Sequence, residues 1–117
     1  NDETLLMCQI ESRRGVENIE SILAVEGIDV GFIGPNDMTQ DYGILGQFDH
    51  PDIVAAFERV IAAARANGKW SGVHFGSAAP LVTWLTRGMQ INMCGSDNGL
   101  LALGAAATRK LLEGERA

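Results

Sequence analysis

A short apolar run that is cut off abruptly does most to limit what this chain can become. Val30, Gly31, Phe32 and Ile33 suit a fully buried strand, and Gly34-Pro35 then stops it, because Pro35 cannot donate to a ladder. Gly34 allows close backbone approach or an unusual φ. Asn36-Asp37 and a short helical turn follow within Val30–Gly43, so an acidic side chain is delivered at the carboxyl end of a buried strand. An earlier apolar run, Leu5–Ile10, ends on Glu11. Two strands thus each finish on a carboxylate, and two carboxylates at one rim of a sheet can hold a hard divalent cation.

The rest of the chain repeats the alternation. Thr4–Ile10 reads as a strand with Leu5, Met7, Gln9 and Glu11 on one face and Leu6, Cys8 and Ile10 on the other. Gly15–Val25 carries Val16, Ile19, Ile22 and Leu23 at near-helical spacing and stops at Gly27. The strand Asp29–Ile33 follows, and the crossover length suits parallel pairing. Tyr42–Phe48 has no clear period. Asp49-His50-Pro51-Asp52 signals a helix start, and Ile53–Ala66 is strongly amphipathic up to Asn67-Gly68. A strand Trp70–Phe75, a helix Ala79–Gly88, a strand Gln90–Cys94 and a helix Leu100–Leu112 complete the pattern, with Ser96 and Asp97 as caps of the last helix. Four strands alternating with helices predict an α/β fold with a parallel sheet. Functional-looking residues recur at one end of several strands, as on a (β/α)8 barrel rim, and four units are half of such a barrel.

Composition excludes several classes. The 117 residues carry a formal charge of −6 with nine scattered Lys and Arg, which argues against a nucleic-acid partner. No apolar stretch approaches the roughly 20 residues that span a bilayer. The start, Asn-Asp-Glu-Thr, lacks the basic and apolar regions of a signal peptide and reads as the cut end of something longer. Cys8 and Cys94 lie in apolar runs without zinc spacing, so buried free thiols in a reducing cytoplasm are expected. Met7, Met93, Trp70 and Trp84 read as packing. Taken alone, a carboxylate after a buried strand is more often a helix cap or a solvated charge than a ligand. Gln9 is equally a substrate contact or a structural hydrogen-bonding group, and His74 is more often a satisfied barrel histidine than a catalyst.

Five blocks in order change that balance. Gln9-Ile10-Glu11, Gly15-Val16-Glu17-Asn18-Ile19, Glu26-Gly27-Ile28-Asp29, Gly34-Pro35-Asn36-Asp37 and Gly95-Ser96-Asp97 resemble the second half of the HpcH/HpaI aldolases. These are metal-dependent class II pyruvate aldolases, and the likeness covers essentially the whole chain. It implies half of a (β/α)8 TIM barrel, four parallel β/α units corresponding to strands 5–8. It implies Glu11 and Asp37 as ligands of Mg²⁺, Mn²⁺ or Co²⁺, and Gln9 near a bound oxoacid. Gly34, Asn36 and Asp37 match the loop whose amides receive the substrate carboxylate. His74 departs from the family, where an apolar residue, often leucine, stands beside the substrate; it joins the expected substrate-binding set and puts the shape of the aldehyde-side pocket in question. The family's catalytic histidine and arginine belong to the other half of the barrel, so none of His50, Arg13 or Arg14 is assigned that work.

The expected activity is cleavage of a 4-hydroxy-2-oxoacid to pyruvate and an aldehyde by the complete enzyme. The expected partners are the small oxoacid, the missing amino-terminal half or another copy of the chain, and further copies in a homo-oligomer. The rivals are a citrate lyase β-subunit or malyl-CoA lyase activity, and a non-catalytic half-barrel that assembles through open strand edges.

Overall fold

The four β/α units expected from the alternation are all present in the computed structural model, which describes residues 3–114. In order they are β1 (Met7–Ile10), α1 (Arg13–Glu17), α2 (Ile19–Leu23), β2 (Val30–Ile33), α3 (Pro35–Asp41), α4 (Pro51–Ala66), β3 (Trp70–Phe75), α5 (Ala78–Thr86), β4 (Ile91–Cys94) and α6 (Asp97–Gly114). The strands form one parallel sheet in the order β1-β2-β3-β4, each pairing with its neighbour in sequence. This is the layout of half a (β/α)8 barrel.

Helices cover one face of the sheet. Gly31 lies against Leu23 and Val60, and Ile33, Val73 and Phe75 point into the same layer. There α4 buries Ile53, Ala56, Phe57, Val60, Ile61 and Ala64, the stripe its spacing predicts. Phe57 is fully buried, 4.5 Å from the Trp84 ring by centroid. His50 caps α4 by accepting from the Asp52 amide at Nδ1, and Pro51 occupies the first helical position. On the outer surface Arg59 donates to both Glu20 carboxylate oxygens, at 3.0 and 2.9 Å, tying α2 to α4. That hydrogen bonding holds the Glu20 carboxyl below the usual carboxylate range.

The opposite face carries Met7 and Gln9 from β1, Val30 and Phe32 from β2, Trp70, Gly72 and His74 from β3, and Ile91 and Met93 from β4. On it Met7, Trp70 and Met93 are exposed, while Val30 and Phe32 are buried. Phe32 fills the space above Gly72, where an added Cβ would lie 2.7 Å from its ring. Trp70 is 57% and Met93 48% exposed, so the packing role expected for Trp70, Met7 and Met93 is corrected, while Trp84 does pack in the core.

Three further expectations change. The predicted helix Gly15–Val25 is two short helices. Asn18 ends the first, with its backbone and side-chain amides both donating to the Arg14 carbonyl, and opens the second, its own carbonyl accepting from Ile22. Cys94, on the edge strand β4, is exposed, and Cys8, on the opposite edge strand β1, is half-buried against the core. The last helix runs longer than Leu100–Leu112 and buries none of its residues. Ser96 does cap it, accepting from the Gly99 amide. Among the described residues no helix is long and apolar enough to cross a membrane.

Candidate functional site

The register of the sheet brings the candidate residues to one edge. Ile10 pairs with Ile33, Ile33 with Val73, and His74 with Met93. One position further along, Glu11, Gly34, His74 and Met93 therefore fall in a single row at the carboxyl ends of the four strands. With strands about 4.8 Å apart, Glu11 and His74 stand about 10 Å from each other across the row. Gly34 lies between them and contributes no side chain.

That absence is used. Gly34 has φ −94°, which any residue can adopt, so glycine is required here for space and not for conformation. A Cβ on Gly34 would sit 2.9 Å from Gln9 Nε2 and 3.0 Å from Glu11 Oε2. Those two groups lean over the glycine and bond to each other, Gln9 Nε2 donating to Glu11 Oε2 at 2.6 Å. Glu11 Oε1 takes no hydrogen bond among the described residues.

The chain then turns sharply into α3. The Gly34 amide still donates to the Ile10 carbonyl, its carbonyl receives Met38, and Pro35 starts the helix. Met38 and Thr39 are buried, which leaves Asn36 and Asp37 outward at the rim. Thr39 is a strut that the sequence did not reveal: fully buried, it donates to the Asn36 carbonyl at 2.9 Å and accepts from Gly46 at 3.1 Å. The loop after α3, which had no readable period, is thereby fixed beside the site. The far end of α3 is held by Asp41, which accepts from the Arg13 amide at 2.7 Å, while the Arg13 guanidinium stacks on Tyr42.

Two depressions open at this rim. The inner one, about 290 Å³, is lined by Gln9, Phe32, Asn36, Asp37, His74 and Met93 among others. The outer one, about 400 Å³, adds Phe48, Ser77 and Pro80, none of which sequence reasoning singled out because no chemical signature marks them. Pro35, Asn36 and His74 line both. His74 Nε2 bonds to the Gly95 carbonyl at 2.8 Å.

Gln9, Gly34, Asn36, Asp37 and His74 thus come together around the inner depression, and Glu11 touches Gln9 and Gly34 at its edge. Among the described residues no group of three or more His, Cys, Asp and Glu side chains could hold a metal. A cation at this rim would have two protein carboxylates and take its remaining ligands from substrate and water. An all-oxygen set of that kind suits a hard ion.

The sequence profile of the family described as HpcH/HpaI aldolase/citrate lyase matches residues 1–103. This chain belongs to that family. The HpcH/HpaI assignment is supported by a 4-hydroxy-2-oxo-heptane-1,7-dioate aldolase of Salmonella paratyphi B, 41% identical over 107 residues, which are 92% of this chain and 41% of that protein. A crystal structure of an HpcH/HpaI aldolase from Desulfitobacterium hafniense superposes with a TM-score of 0.86 at 36% identity, over 96% of this chain and 44% of that one. A family member from Burkholderia cenocepacia gives 0.87 at 33% identity, over 99% and 44%. The chain spans about two fifths of the length of the curated relatives it matches.

Proposed function

We propose that this chain is the carboxy-terminal half of a class II pyruvate aldolase barrel, units five to eight. The complete barrel cleaves a 4-hydroxy-2-oxoacid to pyruvate and an aldehyde with Mg²⁺, Mn²⁺ or Co²⁺. The observation that carries the reading is the gathering of Gln9, Glu11 and Asp37 around a side-chain-free Gly34 at the carboxyl rim of the sheet.

In this reading Glu11 and Asp37 hold the cation, which when bound supplies a Lewis acid for the negative charge that grows on the keto oxygen. Gln9 fixes one Glu11 oxygen and so aims the other. The backbone amides of Asn36 and Asp37 donate to the oxoacid carboxylate without adding a formal charge, which matters in a chain of net charge −6. The base that takes the 4-hydroxyl proton, and the arginine that polarises the keto oxygen, come from the other half of the barrel. The proposed setting is the cytoplasm, supported by two free cysteines. The reading also includes a homo-oligomer, supported by α6, which buries nothing within its own chain.

The test is pyruvate release from 4-hydroxy-2-oxoacids by the complete enzyme with and without EDTA. Release should need the metal, and Glu11→Gln should lower it at least about a hundredfold. The 117-residue chain alone should show little or no cleavage. Turnover of a CoA thioester instead would favour the citrate lyase branch. No lyase activity in any form would leave the assembly module.

A further inference from the structure

The two segments that carry Glu11 and Asp37 leave the sheet side by side. The Gly34 amide donates to the Ile10 carbonyl at 3.0 Å, which joins them where they start. Past that point Ser12 leads into α1 while Pro35–Asp41 forms α3. Asp41 Oδ2 then accepts from the Arg13 amide at 2.7 Å, and among the described residues this is the only hydrogen bond from α3 to the segment that follows Glu11. The same arginine is held a second time: its guanidinium lies 4.0 Å from the centre of the Tyr42 ring, and Tyr42 packs against the core. Glu11 and Asp37 therefore sit within a ring of chain that is closed at both ends, by Gly34 with Ile10 and by Arg13 with Asp41.

Asp41 is badly placed for the helix that carries it. It is the last residue of α3, in a turn without a basic residue, where a carboxylate opposes the partial negative charge of the helix end. That local cost is offset only across the chain, by the short charge-assisted bond to Arg13. Such a conflict between local preference and tertiary contact is what a functional position shows. Asp41 also follows Asp37 by four residues, so the two lie on one face of α3. Whatever fixes Asp41 fixes the direction in which Asp37 is presented.

We propose that Asp41 is a positioning residue for the metal pair: by clamping α3 to Arg13 it sets the separation of the Glu11 and Asp37 carboxylates, and with it the affinity for a divalent cation. It lies outside the residues that line the inner depression. The inference rests on the aldolase reading, in which Glu11 and Asp37 are the ligands, and adds what holds them at a working distance.

The test is titration calorimetry of Mn²⁺ into the complete, metal-free enzyme, native or carrying Asp41→Ala or Asp41→Asn. Asp41 is exposed, so neither change touches the core. Both remove the same negative charge, but only the asparagine keeps an oxygen that can accept from the Arg13 amide. Asp41→Ala should raise the dissociation constant about tenfold, and Asp41→Asn should restore most of that loss. Hydrogen exchange at the Arg13 amide of the metal-free protein should quicken in Asp41→Ala and stay slow in Asp41→Asn. Native affinity in Asp41→Ala would overturn the clamp. So would an equal loss in both variants, which would mean that Asp41 acts by its charge alone; either result leaves Glu11 and Asp37 as ligands. No Mn²⁺ binding by the native enzyme, or unchanged affinity in Glu11→Gln, would remove the metal reading and the clamp with it.

Discussion

The two faces of the sheet are made by alternate residues of the same strands, yet they do different work. On the helix-covered face Ile33, Val73 and Phe75 meet Phe57, Val60 and Trp84 in a closed core. On the other face Met7, Trp70 and Met93 stand exposed, and the polar groups gather at its carboxyl end. Apolar packing is therefore concentrated on one side and the polar rim on the other, a division that the period-2 alternation of a strand makes possible.

The largest effect should separate the faces directly. Phe57→Ala should cost about 3–5 kcal/mol in urea unfolding, because it removes a fully buried ring packed on Trp84. Trp70→Ala, at a side chain that is more than half exposed, should cost less than about 1 kcal/mol. Similar losses from the two would break the comparison.

Two glycines sharpen it within the open face. A Cβ on Gly72 would meet the Ile91 carbonyl at 2.8 Å and the Phe32 ring at 2.7 Å, so Gly72→Ala should destabilise by about 1–3 kcal/mol. Gly34→Ala meets chiefly the movable ends of Gln9 and Glu11, at 2.9 and 3.0 Å, with the Glu11 Cβ next at 3.2 Å. Its thermal midpoint should move little, whereas metal affinity, read by titration calorimetry on the complete enzyme, should fall about tenfold.

The smallest effect lies on the outer helices. Glu20 has a depressed pKa when folded, so the stability it adds is present above the unfolded carboxyl pKa of about 4.3 and is lost as pH falls through the lower folded value. Glu20→Gln should therefore lower the thermal midpoint slightly at pH 7. The gap to the native chain should close below about pH 4. A gap that persisted in acid would mean that Glu20 acts by packing and not by its charge.

Much of this was legible because local chemistry and tertiary role agree. Val30–Ile33 followed by Gly34-Pro35 reads as a buried strand ending at a helix start, and β2 and α3 are found there. The amphipathic stripe of α4 is in the same class. The rim carboxylates could be grouped because strand parity puts Gln9 and Glu11 on one face. What could not be read depends on long-range partners. The break at Asn18 is a choice between continuing a helix and bonding back to Arg14, which propensity does not decide. Cys94 and Trp70 look like core residues in any strand, and their exposure follows only from what lies beside β4 and over the open face. Thr39 carries no signature of its role, since a strut to Gly46 exists only once the loop has folded.

The solitary path of α6 has a thermodynamic consequence. In the single chain its 18 residues bury no side chain, so its helicity rests on its own backbone bonds and on local pairs such as Arg109 with Glu113. A helix of that length supported this way behaves as a peptide does: it frays from its ends, and its order varies gradually with temperature and salt. The α4 helix, locked under the sheet, is lost only when the whole core melts. One chain thus contains both a cooperative unit and a non-cooperative one, and a single unfolding midpoint would describe only the first.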